Sequence, residues 1–534
     1  MKLSPIVLCG ALITACTAVS ADYNSYQSLL RQDVPSISLK KLGTYESGLI
    51  DESAAEIVAY DKRSKRVFVT NANDQSVDVI SIRNPFNPYK LFSIDLTPYG
   101  EPNSVSISKG IVAVAAAADE VDKAGQVVFF NRHGRFLNAL TVGFLPDMLT
   151  FSPDGKKLVV ANEAEPNDEY TIDPEGSISV ISINKPVKYL TQANVATADF
   201  TAFNNAELDE SVRIFGPGSS VAQDLEPEYV AISGDSSTAY VALQENNALA
   251  VVDLDNVEVT DIIGLGTKNY NTIQNAIDAS DKDDTVNIQP WPVKSFYQPD
   301  SIAAYEFEGQ TYVVTANEGD ARDYDGFSEE DRVDDLTLDQ SILDAYPNIQ
   351  DEDQLGRLKI TTVNGDFDND GDVDQIFGYG ARSFSIWNTT TGSIVYDSGS
   401  DFARITASIS SELFNGNDKR SDDKGAEPEA LTLGKIGKNT YAFIGLERTG
   451  GIMVYDISNP YSPHFVEYVN NINLDGDVDE GTAGDVAPEG LVFISAKDSP
   501  IRKPLLVVAN EVSGTTTVYA IKKDRKHKRY YHYR

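Results

Sequence analysis

The sequence contains few of the residue types that most active sites and crosslinks require. It has two cysteines, Cys9 and Cys16, and both lie near the N-terminus. The body of the chain therefore forms no disulfide, thiolate metal site or cysteine nucleophile. Two of the four histidines lie near the C-terminus, which leaves only His133 and His464 in the body. Two isolated histidines argue against a Ser-His-Asp triad and against a histidine-rich zinc site.

Basic residues are also scarce. The chain of 534 residues has 44 Lys and Arg against 81 Asp and Glu, a net charge of −37. Nucleic-acid binding requires a positive surface, so this balance excludes a nucleic-acid partner. It fits cation binding, or simply a solvated acidic surface. No Walker-type loop or GxGxxG motif follows a strand. The hydrophobic content of 41% suffices for a core, and the length suits several domains or one large repeat fold.

Long apolar runs are absent except at the N-terminus, so no transmembrane span is predicted. Residues 6–13 follow Lys2 and match a signal-peptide core, which is too short to cross a bilayer. Two cleavage sites compete. Small residues before Asp22 predict a signal peptide over residues 1–21 and free secretion. Ile13-Thr14-Ala15-Cys16 instead resembles a bacterial lipobox, which would make Cys16 the lipid anchor of a periplasmic or outer-membrane protein.

One short pattern recurs seven times: a polar residue, usually after proline, followed by an alternating strand. The polar residues are Glu56, Asn103, Asp147, Glu228, Asp300, Glu429 and Glu489. Each repeat continues with a second strand that ends in Asn or acidic residues, then a third and often a fourth strand. Four short strands per repeat predict an all-β, seven-bladed β-propeller of four-stranded blades over residues 37–521. The strand at 37–45 precedes the first repeat and is predicted to complete the last blade and close the ring.

If these repeats are blades, six carboxylates form a ring at one end of a central channel. Glu163, Asn317, Glu318 and Glu447, at the ends of second strands, are predicted to form the next layer. Crowded carboxylates repel one another unless cations or basic side chains compensate them. Arg322, Arg448 and Lys424 are the candidate basic partners. The alternative is that each acidic residue caps its strand by accepting backbone N–H bonds.

Insertions interrupt the repeats and are rich in acid. They cover residues 265–297, 319–376 (within the fifth blade) and 409–426, and a basic, aromatic tail occupies 522–534. The tail is either an anchor onto an acidic surface or a terminus without fixed structure.

The sharpest local motif lies in the longest insertion. Its carboxylates alternate, with Gly371 at the sixth position, as in the first half of a calcium loop. The motif is not an EF-hand, because Phe377 replaces the glutamate at position twelve. It is therefore either another kind of calcium loop or an acidic surface turn. The predicted ligands are Asp366, Asp368, Asp370, Asp372 and Asp374.

With these motifs assembled, the chain resembles the choice-of-anchor I proteins, which are related to mesenchyme-specific cell surface glycoproteins and to atypical bacterial alkaline phosphatases. The resemblance covers residues 37–521. It is carried by residues 54–61, 145–148, 152–157, 160–163, 298–300, 315–322, 380–387, 427–429, 487–491 and 508–514. It implies a propeller, an extracellular or cell-surface location and dependence on a divalent cation, and it suggests phosphatase activity or a role in mineral or matrix.

Two functions remain open at this point. In the first, the protein is a calcium-dependent phosphatase, a phosphoric-ester hydrolase. Calcium, or another divalent cation, binds the substrate phosphate and lowers the pKa of an attacking water. Arg322, Arg448 and Lys424 neutralise the phosphate. In the second, the protein is a non-enzymatic, acidic, calcium-binding surface, matrix or biomineralisation-type protein that docks an acidic or mineral ligand through metal.

Overall fold

The computed structural model describes residues 37–523. The predicted signal peptide, the lipid anchor at Cys16 and all but the first two residues of the basic tail lie outside this range. Within it, no helix has both the length and the apolar character needed to cross a membrane.

Most strands of the described chain belong to seven four-stranded antiparallel sheets. Sheets I to III contain β2 Val58–Asp61, β3 Arg66–Asn71, β4 Ser76–Ser81 and β5 Tyr89–Asp95; β6 Glu101–Ser108, β7 Ile111–Ala117, β8 Ala124–Asn131 and β9 Phe136–Phe144; β10 Pro146–Phe151, β11 Lys157–Asn162, β12 Ser177–Ser182 and β13 Val195–Asp199. Sheets IV and V contain β14 Pro227–Ile232, β15 Thr238–Leu243, β16 Ala248–Asp253 and β17 Glu258–Gly264; β20 Ile302–Phe307, β21 Gln310–Asn317, β27 Ser383–Asn388 and β28 Ser393–Asp397. Sheets VI and VII contain β29 Pro428–Ile436, β30 Asn439–Leu446, β31 Ile452–Asp456 and β32 His464–Val469; β33 Pro488–Ile494, β34 Leu505–Asn510, β35 Thr515–Lys523 and β1 Ile37–Glu46.

The sheets close into a ring. The first strand of each sheet contacts the first strand of the next, in the order β2, β6, β10, β14, β20, β29, β33 and back to β2. The N-terminal strand β1 pairs with β35, from Ile37 opposite Lys523 to Glu46 opposite Thr515, and so completes sheet VII. The predicted all-β propeller, closed by its N-terminal strand, is confirmed.

The core consists of apolar layers between neighbouring sheets. Second strands such as β7 and β34 are almost continuous runs of Val, Ala, Leu and Ile, because both of their faces are covered. Outer strands such as β5 are half exposed and more polar. Every adjacent pair of sheets shares one buried cluster, including the pair formed by sheets VII and I. This packing fixes the first strands around a common axis.

The two longest insertions fold together, which the sequence did not predict. Residues 265–297 supply β18 Thr267–Asn269 and β19 Val293–Phe296, and residues 319–376 supply most of the remaining elements. Strand β19 pairs in parallel with β26 Ile376–Gly378, and the two segments share a buried core that includes Trp291, Leu355 and Ile376. The insertions are therefore one packed unit rather than separate acidic loops. The other elements are β22 Asp323–Tyr324, β23 Phe327–Ser328, β24 Glu330–Arg332, β25 Lys359–Thr361 and β26 Ile376–Gly378, with helices α1 Val221–Asp224, α2 Gln340–Ala345 and α3 Asp401–Ile409.

Candidate functional site

The ring carboxylates lie at irregularities in the first strands. In β33, Pro488 pairs with Asn510 and Gly490 with Ala509, so Glu489 occupies a bulge. The same kind of register shift brackets Asn103, Asp147, Glu228 and Glu429 in β6, β10, β14 and β29. A bulge leaves a residue out of the ladder and re-aims its side chain. The repeated bulges therefore direct the side chains at these positions away from the regular alternation of the strand.

Backbone strain accompanies several of these bulges. Residues directly before the motif proline adopt positive φ at Leu145 (39°), Gln298 (43°), Glu427 (52°) and Ala487 (57°). A left-handed conformation is uncommon for residues other than glycine, and it costs on the order of 1–3 kcal/mol at each position. The fold holds this conformation at four equivalent positions. The same left-handed conformation therefore precedes the ring position in four of the seven repeats.

The carboxylates influence one another around the whole ring. Burial, followed by the charges of neighbouring carboxylates, raises the pKa of Glu56 to about 8 and the pKa of Asp147 to about 7. The same causes raise the pKa of Glu489 well above its usual value, burial first and then the charges of Glu56 and Glu511. The pKa values of Glu228, Asp300 and Glu429 are raised well above their ordinary values in the same way. The ring is therefore an environment in which ionised carboxylates need a compensating charge.

One group of three carboxylates lacks such compensation. Glu56, Glu489 and Glu511, here called the open triad, offer oxygens that all lie within 4.8 Å of one another, and each residue is half-buried. The Ser53 hydroxyl donates a hydrogen bond of 3.0 Å to Glu511 Oε1. Glu489 Oε2 is buried without a hydrogen-bond partner. Between residues 37 and 523, no Lys, Arg or His forms an ion pair with the open triad.

A second group has the same geometry but is already neutralised. Glu318, Glu427 and Glu447, here called the paired triad, also hold their oxygens within 4.8 Å of one another. Arg420 binds Glu427 through two hydrogen bonds of 2.7 and 3.2 Å. Lys424 lies 3.4 Å from a Glu318 oxygen, and Arg448 lies 3.0 Å from Glu447 Oε1. Burial first and the Glu318 charge second still raise the pKa of Glu447 to about 8.

A third group lies in sheets III and IV. Glu228 and Glu245 are each 8% exposed, and each has one buried oxygen, Oε1 and Oε2 respectively, without a hydrogen-bond partner. Burial raises the pKa of Glu163 well above its usual range, with the charge of Glu165 as the next cause. The Tyr324 hydroxyl donates a hydrogen bond of 3.1 Å to Glu165 Oε1.

The strand-capping alternative requires the ring carboxylates to accept backbone N–H bonds. In the described part of the chain, no backbone N–H donates to the carboxylates of Glu228, Glu429 or Glu489, and each of these three has a buried oxygen without a partner. Buried polar atoms are nearly always hydrogen-bonded, so a cluster of unpartnered oxygens calls for an explanation such as a bound ion.

Arg322, predicted as a phosphate contact, is buried and already paired with carboxylates. Its side chain is 1% exposed and binds Asp224 and Glu226, with a distance of 2.8 Å to Glu226 Oε2. Its guanidinium also stacks over the Phe215 ring at 4.5 Å. A buried guanidinium with two carboxylate partners is not accessible to a substrate, so the structure gives no support to its predicted role as a phosphate contact. Because Arg322 belongs to the insertion 319–376, its ion pairs with Asp224 and Glu226 hold the insertion unit against the propeller.

The other predicted basic and amide residues differ in accessibility. Arg448 is 46% exposed, whereas Lys424 is mostly buried among Glu318, Asp320 and Glu427. Asn317 is fully buried, and its amide donates to the Ser383 and Ser385 hydroxyls within sheet V. These hydrogen bonds fix the end of β21 against β27.

The predicted calcium loop forms two small carboxylate groups at the surface of the insertion unit. Asp366, Asp368 and Asp374 form one, and Asp339, Asp372 and Asp374 the other, each with oxygens within 4.8 Å. Asp370 belongs to neither. The Asp370 charge, then burial, raises the pKa of Asp368. Asp339, which precedes helix α2 and accepts from the Ser341 backbone N–H, was not predicted because it lies far away in sequence.

The predicted ligand set left out other carboxylates of the site. Glu245 and Glu511 follow second strands, as the predicted Glu163 and Glu318 do, so the same signal was available for them. Glu165, Glu226 and Glu427 lie beside predicted residues, and only the folded positions reveal their contacts.

Two curated proteins are similar in sequence to parts of this chain. Gigasin-3a of Magallana gigas is 30% identical over 193 residues, which cover 33% of this chain and 68% of that protein. The mesenchyme-specific cell surface glycoprotein of Strongylocentrotus purpuratus is 28% identical over 300 residues, which cover 48% of this chain and 38% of that protein.

Among solved structures, hydrazine synthase of Kuenenia stuttgartiensis has a TM-score of 0.48 at 12% identity, covering 90% of this chain and 100% of that chain. The WD40 domain of Toxoplasma gondii coronin has a TM-score of 0.49 at 9% identity, covering 93% of this chain and 89% of that chain. The model of the choice-of-anchor I domain matches residues 56–460. This chain therefore belongs to the choice-of-anchor I family.

Proposed function

We propose that this protein is a divalent-cation-binding propeller that acts at the cell surface or in the extracellular space, with calcium held by the open triad. The observation that carries the proposal is the close approach of Glu56, Glu489 and Glu511 without a basic partner among residues 37–523. The charge of Asp300, at the ring position of sheet V, also raises the pKa of Glu489.

Electrostatics explains why the open triad favours a cation. Two unit charges 4.8 Å apart repel by about 3.5 kcal/mol at an effective dielectric constant of about 20. Three ionised carboxylates at such distances therefore require either protons or a bound cation. All the ligand atoms are carboxylate oxygens, which is the donor set preferred by calcium and other hard divalent cations.

The paired triad supports this assignment by contrast. Arg420, Lys424 and Arg448 already supply positive charge to Glu318, Glu427 and Glu447. A divalent cation there would have to displace these side chains. We therefore do not include the predicted ligands Glu318 and Glu447 in the proposed calcium site. The exposed groups around Asp366 and Asp374 remain a candidate for additional, weaker calcium binding.

The proposed location has two supports. The relative from Strongylocentrotus purpuratus is named as a cell surface glycoprotein, and this chain covers 38% of it. The N-terminal sequence carries the features of a secretion signal, with the lipid anchor at Cys16 as its alternative. In this location the acidic propeller face would dock a mineral or an acidic matrix ligand through calcium.

A phosphatase is the second candidate function. The observation that favours it is Arg448, whose guanidinium is 46% exposed beside Glu447 and so is accessible to a phosphate. Calcium held by the open triad would supply the positive charge for a phosphoric ester and acidify an attacking water. The non-enzymatic function is better supported, because Arg322 and Lys424 are already committed to carboxylates.

Two measurements separate these functions. Isothermal titration of the chelator-treated protein with calcium is expected to show binding, and Glu511→Gln is expected to weaken it at least tenfold; unchanged affinity in this variant would contradict the assignment. Hydrolysis of an aryl phosphate is then followed with calcium and with chelator. Turnover that requires both calcium and Arg448 would establish the enzyme, whereas its absence from pH 7 to 10 would leave the binding function.

A further inference from the structure

One end of the propeller is basic, although the chain as a whole is strongly acidic. The ring positions lie at the starts of the first strands, so the turns between first and second strands lie at the opposite end. The loops between third and fourth strands lie at that end too, because neighbouring strands are antiparallel. The long insertions leave from the ring end, after β17 and β21. A strand length therefore separates the acidic end from these loops.

In sheets I and II these loops carry exposed basic side chains. The β2–β3 turn contains Lys62 and Arg63, and the β4–β5 loop contains Arg83. Lys109 lies in the β6–β7 turn and Arg135 in the β8–β9 turn. In the described chain none of these five side chains forms an ion pair. Their charges are therefore available to an anionic partner.

The basic side chains continue on both neighbouring sheets. Sheets III and VII add exposed residues that have no ion pair with any residue from 37 to 523: Lys185 and Lys188 before β13, Arg502 and Lys503 before β34, and Lys522 and Lys523 at the end of β35. The equivalent turns of sheets IV and V carry the exposed acids Asp235 and Glu308 instead. The exposed Lys and Arg of these loops in sheets VII, I, II and III are here called the basic face.

Hydrogen bonds join the loops of the basic face into one surface. Three of them run from a basic side chain to a backbone carbonyl of the next sheet: Lys65 Nζ to Asp498 (2.6 Å), Arg66 Nη1 to Arg132 (2.8 Å) and Lys109 Nζ to Asp154 (2.8 Å). They connect sheet VII with I, I with II and II with III. The exposed charges are therefore held in fixed relative positions across four sheets.

Aromatic rings project among these charges. Phe86 and Tyr89, beside Arg83, are 61% and 51% exposed, and Tyr189 is 59% exposed. Lys188 Nζ lies 4.6 Å from the centre of the Tyr189 ring. Aromatic side chains are enriched at membrane–water interfaces, and clustered Lys and Arg attract anionic lipid headgroups. Exposed rings flanked by basic residues are therefore the combination that a membrane surface recognises.

We propose that the basic face docks the propeller onto an anionic phospholipid membrane, with Phe86 and Tyr189 inserted among the headgroups. The net charge of −37 does not prevent this. Strands of six residues separate the two ends by about 20 Å, whereas the Debye length at physiological ionic strength is about 8 Å. Docking needs no calcium, so it goes beyond the proposed function. It turns the ring end, with the open triad, away from the membrane.

Cosedimentation with lipid vesicles in the presence of EDTA tests the docking. We expect the protein to bind vesicles of phosphatidylcholine and phosphatidylglycerol, to release them at high salt, and not to bind phosphatidylcholine alone. The combined variant Lys62→Gln, Arg135→Gln and Lys188→Gln is expected to bind about a hundredfold more weakly, since each basic residue near an anionic membrane contributes about fivefold.

A matched control changes the net charge equally at the other end of the propeller. It combines Lys123→Gln in the β7–β8 loop, Lys282→Gln in the insertion unit and Lys419→Gln before β29, all of which are exposed. We expect this control to bind the vesicles as the wild type does. Equal weakening in both combined variants would refute the basic face as the docking surface.

The aromatic rings distinguish a membrane from an acidic polysaccharide. Phe86→Ser combined with Tyr189→Ser is expected to weaken vesicle binding at least tenfold and to leave retention on a sulfated-polysaccharide column unchanged. A wild-type protein that binds the column but not the vesicles would overturn the proposal in favour of a polysaccharide partner, and one that binds neither would refute it. Because EDTA is present throughout, either failure leaves the proposed calcium binding untouched.

Discussion

Glu489→Gln removes one charge from the open triad with little change in its shape. We expect the substitution to raise the stability of the protein without calcium and to lower it with calcium. Without calcium, the substitution removes two of the three repulsive pairs among Glu56, Glu489 and Glu511. With calcium, it removes a ligand. If the acidic residue simply caps a strand, the substitution would instead destabilise the protein under both conditions.

The size of the effect follows from the distances. Each pair within 4.8 Å repels by about 3.5 kcal/mol when both carboxylates are ionised, at an effective dielectric constant of about 20. Partial protonation reduces this energy, since burial and the Glu511 charge raise the pKa of Glu56 to about 8. We expect the calcium-free variant to be more stable than the wild type by about 2 kcal/mol at pH 8. With calcium at a hundred times its dissociation constant, the wild type gains about 2.7 kcal/mol that the variant lacks.

Thermal unfolding followed by circular dichroism, in EDTA and in calcium, measures the stability difference between Glu489→Gln and the wild type under both conditions. The unfolding entropy of a chain this long is about 1 kcal/mol per kelvin, so the expected shifts are about 2–3 °C. Glu318→Gln is the matched control, because it leaves Lys424 without one of its partners. The control is expected to lower the melting temperature in EDTA. A lower melting temperature for Glu489→Gln in EDTA would refute the reasoning.

Three further predictions follow from the same geometry. Because the raised pKa of Glu56 favours the protonated carboxyl in the folded state, metal-free stability is expected to fall as the pH rises from about 5 to about 8; thermal scans measure this fall, and saturating calcium should remove it. Gly490→Ala should weaken calcium binding in titration calorimetry, since the new Cβ would lie 2.1 Å from the Glu56 carbonyl oxygen. The control Gly234→Ala should leave calcium binding unchanged, because its Cβ would meet only a flexible side chain at 3.5 Å. Arg322→Met should destabilise the protein by about 3–5 kcal/mol and expose residues 319–376 to limited proteolysis, because two buried carboxylates lose their partner; intact resistance would contradict the fastening role.

The propeller could be predicted because its signals are local and repeated. Each second strand is a short apolar run followed by Asn or an acidic residue, and five of the seven first strands contain or follow a Pro-Asp or Pro-Glu step. The pairing of β1 with β35 was also predictable, since the first strand had no repeat of its own. The shared core of the insertions was not, because Trp291 and Leu355 belong to segments without periodicity and meet only through tertiary packing.

The site was predicted in outline but not in its charge balance. The positions of Glu429 and Glu489 follow from the repeat, whereas the partners of each carboxylate depend on contacts between distant residues. Arg322 binds Asp224, 98 residues away, and this contact removes it from the channel. Adjacency in sequence likewise did not distinguish the paired triad, where Arg420 binds Glu427, from the open triad, which has no such partner in the described chain.

Direct measurement of bound calcium tests the central claim. Chelator-treated protein is dialysed against calcium at pH 8 and its metal content is determined by mass spectrometry, for the wild type and for Glu489→Gln. We predict that the wild type retains calcium and that the variant retains at least one ion fewer per chain at the same free concentration. Equal calcium content in the two proteins, or none in the wild type at millimolar calcium, would contradict the assignment of the open triad as a cation site.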